Sequence, residues 1–323
     1  MLASVLLVGW GWSTADYLDA VEEIEQLGFH ACYIGDDLFA HQADVDVGTF
    51  EPWTMLPAMA MRTSSLRLGS LVSPVGRRHP GLFAKITATA DLISDGRMIV
   101  GMGAGNAPAQ QRSLAAPFAT PAERVAMLAE ELEVLRSYWT EDRTNFTGEW
   151  YTITGGICEP KPARAGGPEI LLGVQGARMI ELASKYADRV NVPSAQTRRI
   201  SEVADAVRTR ADAHGRVGDD IIMSRLATVI LTDRAADSPD ASSAAIEARA
   251  AEIGMDPATL RHEVDEWIHS YVGPVDGVAD WVRESTDDVG LDELVVSIDT
   301  IDTVGYDRTM AGLRSFAAAL GGG

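Results

Sequence analysis

An apolar, strand-like run followed by a helix-like run recurs eight times along this chain. That alternation constrains the fold more than any other feature. The strand-like runs are SVLLVGW, ACYIG, LRLGSLVSP, GRMIVGMGAG, PEILLG, DRVNV, DIIMSRLATVIL and LDELVVSI. In the first helical run Tyr17, Leu18, Val21, Ile24 and Leu27 fall at helical spacing, with Ser13 or Thr14 as N-cap and Gly28 at the C-terminal end. The clearest helix starts at TPAERV: Thr120 caps it, Pro121 takes its first position and Glu123 completes a capping box. Eight parallel strands with crossover helices describe an α/β (β/α)8 TIM barrel. An open, doubly wound sheet is the alternative that the alternation alone leaves standing. Residues 1–323 read as one barrel domain with insertions near 144–162, which looks like a hairpin, and near 233–272, around an Ala/Ser/Asp-rich tract.

Charge narrows the partners. The formal net charge is −20 and the pI about 4.6, so no nucleic-acid or anionic-membrane surface is expected. No run reaches the ~18 apolar residues of a membrane span. The apolar N-terminus lacks a basic region and reads as a buried strand. Two cysteines, Cys32 and Cys158, make no disulfide framework, and a cytoplasmic protein with reduced thiols is expected. The six histidines are scattered, so no metal site is expected.

The stretch IVGMGAGN raises a separate question. Gly101, Gly103 and Gly105 give G-x-G-x-G, not the G-x-G-x-x-G of a dinucleotide-binding turn. Pro108 follows closely and is compatible with a helix only in its first turn. The following AQQRSLAAPF has no clear apolar stripe.

Three stretches in this order, RRHPGLFAKITATADLISDGRMIVGMGAGN, ERVAMLAEELEVLRSYWT with FTGEWY, and PEILLGVQGARMIELASKYADRVNV, resemble the bacterial-luciferase-like monooxygenase superfamily. The resemblance runs from Val5 to the last helix and implies a (β/α)8 barrel with insertions. It also implies a flavin-type cofactor, either coenzyme F420 (an 8-hydroxy-5-deazaflavin) or FMN. YIGDD, RRHP and MGAGN look more like the deazaflavin branch. The implied activity is hydride transfer between coenzyme F420 and a small organic substrate. The alternatives are an FMN-dependent monooxygenase fed by a separate reductase, and a flavin-binding protein without turnover. Relatives of this kind often form homodimers.

The resemblance also implies roles for particular residues. Asp36 matches a hydrogen-bonding aspartate beside the cofactor. Asp37 stands where the family often has a proton-handling histidine, so a carboxylate would act there as acid or base. His41, four residues on, would replace the missing imidazole, or it is an ordinary loop histidine. Ser70-Leu71 stands where the branch often has a non-prolyl cis peptide beneath the ring. Gly105 would leave room for the cofactor and Asn106 would offer it an amide. Asn106 replaces a glutamate found in some sugar-phosphate dehydrogenases, and an amide cannot carry a proton. Gly173, Val174, Gln175, Gly176, Ala177 and Arg178 span a strand-to-helix turn whose free amides suit a cofactor phosphate. The basic run Arg77, Arg78 and His79 would either meet the acidic cofactor tail or form a solvated loop, the latter being the reading for Arg77. Trp10, Trp12, Phe39, Phe50 and Trp53 are candidates for either pocket wall or core.

Overall fold

The computed structural model describes residues 1–39, 48–114, 118–192, 197–231, 247, 256–258, 271–273, 277–286, 290–298 and 306–321. The chain opens with β1 (Leu2–Leu6), α1 (Thr14–Gln26), β2 (Ala31–Ile34), α2 (Pro52–Arg62), β3 (Arg67–Ser70), β4 (Ser73–Pro74) and α3 (Pro80–Ile93). It continues through β5 (Met98–Gly103), α4 (Pro108–Ser113), α5 (Pro121–Thr140), β6 (Thr144–Thr147), β7 (Thr152–Gly156), β8 (Glu169–Gly173), α6 (Ala177–Tyr186) and β9 (Arg189–Val192). It ends with α7 (Thr197–Ala213), β10 (Ile222–Leu231), β11 (Tyr271–Gly273), α8 (Val278–Thr286), β12 (Glu293–Ile298) and α9 (Tyr306–Ala319).

Strands β1, β2, β3, β5, β8, β9, β10 and β12 form a closed parallel barrel, in that order around the ring. Closure runs through Leu2 opposite Glu293 and Ile222 opposite Arg189. The open-sheet alternative is therefore excluded. Strand alternation sends Val5, Cys32, Leu68, Val100, Leu172 and Val190 outward under the helices. Ala31, Tyr33, Ile99, Leu171 and Val295 fill the interior. At the N-terminal end the interior closes with ions. Glu293 accepts hydrogen bonds from Ser4 Oγ at 2.5 Å, Tyr33 Oη at 3.3 Å and Arg189 Nη2 at 2.8 Å. Arg189 and Arg67 both reach Glu169. Charges at this end of a barrel serve stability, because the chemistry belongs at the opposite mouth.

Local expectations hold where side-chain chemistry is specific. Ser13 accepts from Asp16 N, and Thr120 and Glu123 form both bonds of the capping box. Residues 144–156 form an antiparallel hairpin. Glu130 of α5 fastens it by accepting the backbone N–H groups of Glu149, Trp150 and Tyr151. Most of the second insertion lies outside the described residues. The segment after the glycines does form a helix, α4, because Pro108 occupies its first turn, where a missing N–H costs nothing. Cys32 and Cys158 are buried free thiols. Among the described residues, no helix is long and apolar enough to cross a membrane, and no cluster of His, Cys, Asp and Glu could hold a metal.

Candidate active site

The C-terminal ends of β1, β2 and β3 border a small cleft of about 60 Å³ that opens to solvent. Leu6, Val8, Trp10, Ile34, Phe50 and Leu71 make its walls largely apolar, and Asp37 brings a carboxylate to it. Asp37 is carried by the turn after β2. Gly35 permits that placement, since a Cβ there would lie 3.0 Å from Asp37 Oδ2. Of the aromatic candidates, Trp10 and Phe50 line the cleft. Trp12 instead packs edge-on against Tyr17 and Tyr306. Trp53 is buried against Phe83 and donates to Ser73 Oγ at 2.9 Å.

Asp36 points the other way. Its side chain is fully buried and meets Arg77 Nη1 at 2.9 Å and Arg78 Nη1 at 2.5 Å. Ser73 Oγ donates to it at 2.6 Å. Both carboxylate oxygens are thus occupied by the protein itself, so Asp36 organises the rim instead of facing a ligand. Arg77 is correspondingly no solvated loop residue: its side chain is 4% exposed. Burial alone would depress the Arg78 pKa, but pairing with Asp36 and Glu51 outweighs it and holds the guanidinium above its ordinary value. His79 is the N-cap of α3, accepting from Gly81 N.

The two carboxylates are linked through α4. Gln110 is buried; it accepts from Arg77 Nη2 at 3.0 Å and donates to Asp37 Oδ1 at 3.0 Å. Neither Gln110 nor the buried Arg77 carries a local sequence signal, since a glutamine in a short polar helix is ordinary.

The glycine stretch is the fourth barrel strand running into its loop. A Cβ on Gly101 would lie 1.8 Å from the Ser70 carbonyl oxygen, and one on Gly103 would lie 2.9 Å from Val72 Cγ2. These two glycines allow β5 to approach the end of β3. Gly105 has φ +79°, the left-handed conformation that the loop's turn requires. Asn106 is exposed at the mouth. Arg124 of α5 clamps the loop by donating to the carbonyls of Ala104 at 2.8 Å and Gly105 at 3.2 Å. Ser70 is buried and spends its hydroxyl on the Gly101 carbonyl at 2.8 Å. Leu71 reaches the cleft. The non-prolyl cis peptide is Leu71–Val72, one residue beyond the expected Ser70–Leu71 position. It falls where the third strand-like run divides into β3 and β4.

Across the rim, β8 ends at Gly173 and α6 begins after Gly176, whose φ is +86°. No side chain caps α6, so the N–H groups of its first turn, around Ala177 and Arg178, remain available. Gln175, Gly176, Ala177 and Arg178 are exposed, whereas the Val174 side chain packs into the core. The structure therefore brings Asp37 and Leu71 together in the cleft and sets the α6 turn on another part of the same rim. His41 lies outside the described residues.

A family model described as luciferase-like monooxygenase matches residues 11–293. A phthiodiolone/phenolphthiodiolone dimycocerosates ketoreductase from Mycobacterium kansasii is 30% identical over 246 residues, covering 74% of this chain and 64% of that protein. An F420-dependent glucose-6-phosphate dehydrogenase from Amycolatopsis mediterranei is 28% identical over 165 residues, 48% of this chain and 49% of that protein. The chain thus spans less than two thirds of the length of these curated relatives. Among solved structures, a coenzyme F420 dependent tetrahydromethanopterin reductase from Methanopyrus kandleri superposes with TM-score 0.77 at 19% identity, over 99% of this chain and 98% of that one. A long-chain alkane monooxygenase superposes with TM-score 0.79 at 16% identity, over 99% and 91%. At these identities the likeness shows a common fold.

Proposed function

The chain belongs to the luciferase-like monooxygenase family, a family of oxidoreductases and monooxygenases, and from that premise we propose that it transfers hydride between coenzyme F420 and a small organic substrate. The observation that carries this reading is an apolar cleft with one carboxylate at the barrel mouth, on the same rim as an uncapped helix N-terminus. The deazaflavin choice is supported by a curated relative named as F420-dependent.

The residues fit such a cofactor. Leu71 offers the ring an apolar surface. The free N–H groups at the start of α6, with Arg178, offer its acidic tail an anion site. When bound, the deazaflavin supplies or accepts the hydride. Asp37 would give the proton to the substrate's oxygen when hydride is supplied and take it when hydride is accepted, and Trp10, Phe50 and Leu6 keep water from the cleft. Asn106 carries no proton. Asp36, Arg77 and Arg78 hold the rim that presents Asp37. We read the working protein as a cytoplasmic homodimer acting on a small molecule.

The second reading is an FMN-dependent monooxygenase supplied with reduced flavin by a separate reductase. The fold likeness to an alkane monooxygenase supports it. Two turnover assays, the first anaerobic and the second in air, separate the two. Reduced F420 is followed by absorbance against a panel of ketones and aldehydes, and oxygen uptake is followed with reduced FMN. F420 oxidation that depends on a carbonyl compound supports hydride transfer. Oxygen uptake with FMN, and no F420 turnover, overturns it. Binding without turnover of either would point to a carrier protein.

A further inference from the structure

We propose that Gln110 is the positioning residue for Asp37, with its amide turned one way by Arg77 so that the Asp37 carboxylate is held at the cleft in a single orientation. The inference rests on the reading above in assigning Asp37 the proton.

A glutamine amide has two acceptor sites on oxygen and two N–H donors on nitrogen. At Gln110 all four are used. Oε1 accepts from Arg77 Nη2 at 3.0 Å and from the backbone N–H of Leu38 at 3.2 Å. Nε2 donates to Asp37 Oδ1 at 3.0 Å and to the Phe39 carbonyl at 3.2 Å. An arginine and a backbone N–H can only donate, whereas a carbonyl only accepts, so flipping the amide would lose at least three of its four bonds. At 1% exposure, water cannot replace either bond.

Arg77 is itself fixed. Its Nη1 meets both the carboxylate and the backbone carbonyl of Asp36. Asp36, Arg77, Gln110 and Asp37 therefore close a ring through two residues adjacent in sequence. Gln111 adds a donor to the Gly76 carbonyl at 3.4 Å, tying α4 to the loop that bears Arg77. The result clasps three segments: the turn after β2, the loop before α3, and α4. Among the described residues, the other charges near the ring are Arg78, which meets Asp36, and Glu51, which pairs with Arg78.

The test is a pH titration of Asp37 by carboxyl carbon NMR, using aspartate-labelled full-length protein. The resonance is assigned by its loss in Asp37→Asn. Gln110→Met removes the donor to Asp37. Gln110→Glu keeps the shape and the bond to Arg77 but sets a second carboxylate against Asp37. Either change disfavours the charged form of Asp37, the second more strongly. The expected result is a midpoint that moves to higher pH in Gln110→Met and further in Gln110→Glu, in folded variants. Gln110→Glu guards against a Met variant that fails to fold. An unchanged midpoint in a folded variant overturns the proposal, because a merely structural glutamine would leave the titration in place. Deazaflavin binding by the wild type is measured in parallel. Its absence would sink the cofactor reading while the NMR comparison still decides the role of Gln110.

Discussion

Arg78 Nη1 lies 2.5 Å from Asp36 Oδ2, with the carboxylate 0% and the guanidinium 14% exposed. Arg77 meets the same carboxylate from a drier position, its side chain 4% exposed. Among the described residues, removing the shared anion would leave Arg78 with Glu51 alone and Arg77 with only the neutral acceptors of Gln110 and the Asp36 backbone carbonyl. Breaking one partner of a buried pair costs about 3–5 kcal/mol. Asp36→Asn is therefore expected to lower the unfolding free energy by about that amount in urea denaturation. A loss below about 1 kcal/mol, the value of a surface pair, would contradict the buried geometry.

Glu131 of α5 makes stability fall with rising pH. It is buried between the hairpin and the loop before α3, near Gly76 N and Tyr151 Oη. Burial pushes its pKa up from 4.5 to about 8. A raised carboxyl binds a proton more readily folded than unfolded, so its contribution is complete below about pH 4.5 and is lost as pH rises through about 8. Glu131→Gln is expected to flatten the thermal stability profile across that window and to be relatively more stable than the wild type at its upper end.

Glu25 acts with the opposite sign. Burial disfavours its charge, but the N–H groups of Ser65, Leu66 and Ser64 outweigh that and hold its pKa at about 2. Its contribution is present above the ordinary value of 4.5 and is lost as pH falls toward about 2. Glu25→Gln should remove part of the acid-side decline in unfolding temperature and leave the alkaline side unchanged.

Gly101 tests whether the glycine stretch is packing or pocket. Its added Cβ would sit 1.8 Å from a backbone oxygen, a clash no rotamer relieves. Overpacking typically costs about 1–3 kcal/mol and more where backbone must move. Gly101→Ala is expected at or beyond the top of that range, measured by urea denaturation. A near-neutral result would show that the β3–β5 approach is looser than described.

The barrel was legible because period-two and period-3.6 patterns repeat eight times, and because capping at Ser13 and Thr120 is local chemistry. The fate of Asp36 was not legible. Its partners Ser73, Arg77 and Arg78 are about forty residues away, and nothing in DD or RRHP tells a buried pair from solvated charges. Gly101 and Gly103 could serve a cofactor or a neighbouring strand, and only the position of Ser70 and Val72 decides. The cis peptide was displaced by one residue because no side-chain preference marks it. The uncapped start of α6 was readable from Gly176, since a glycine there supplies no capping oxygen.

The most direct test of the central claim is equilibrium binding of coenzyme F420 and FMN, each oxidised and reduced, to the purified protein by calorimetry and fluorescence quenching. The expected result is deazaflavin binding tighter than FMN binding by about tenfold or more, roughly 1.4 kcal/mol. It should weaken in Arg178→Ala and with added salt, as the anion site on α6 requires. Preference for FMN, or binding of neither cofactor, would contradict it.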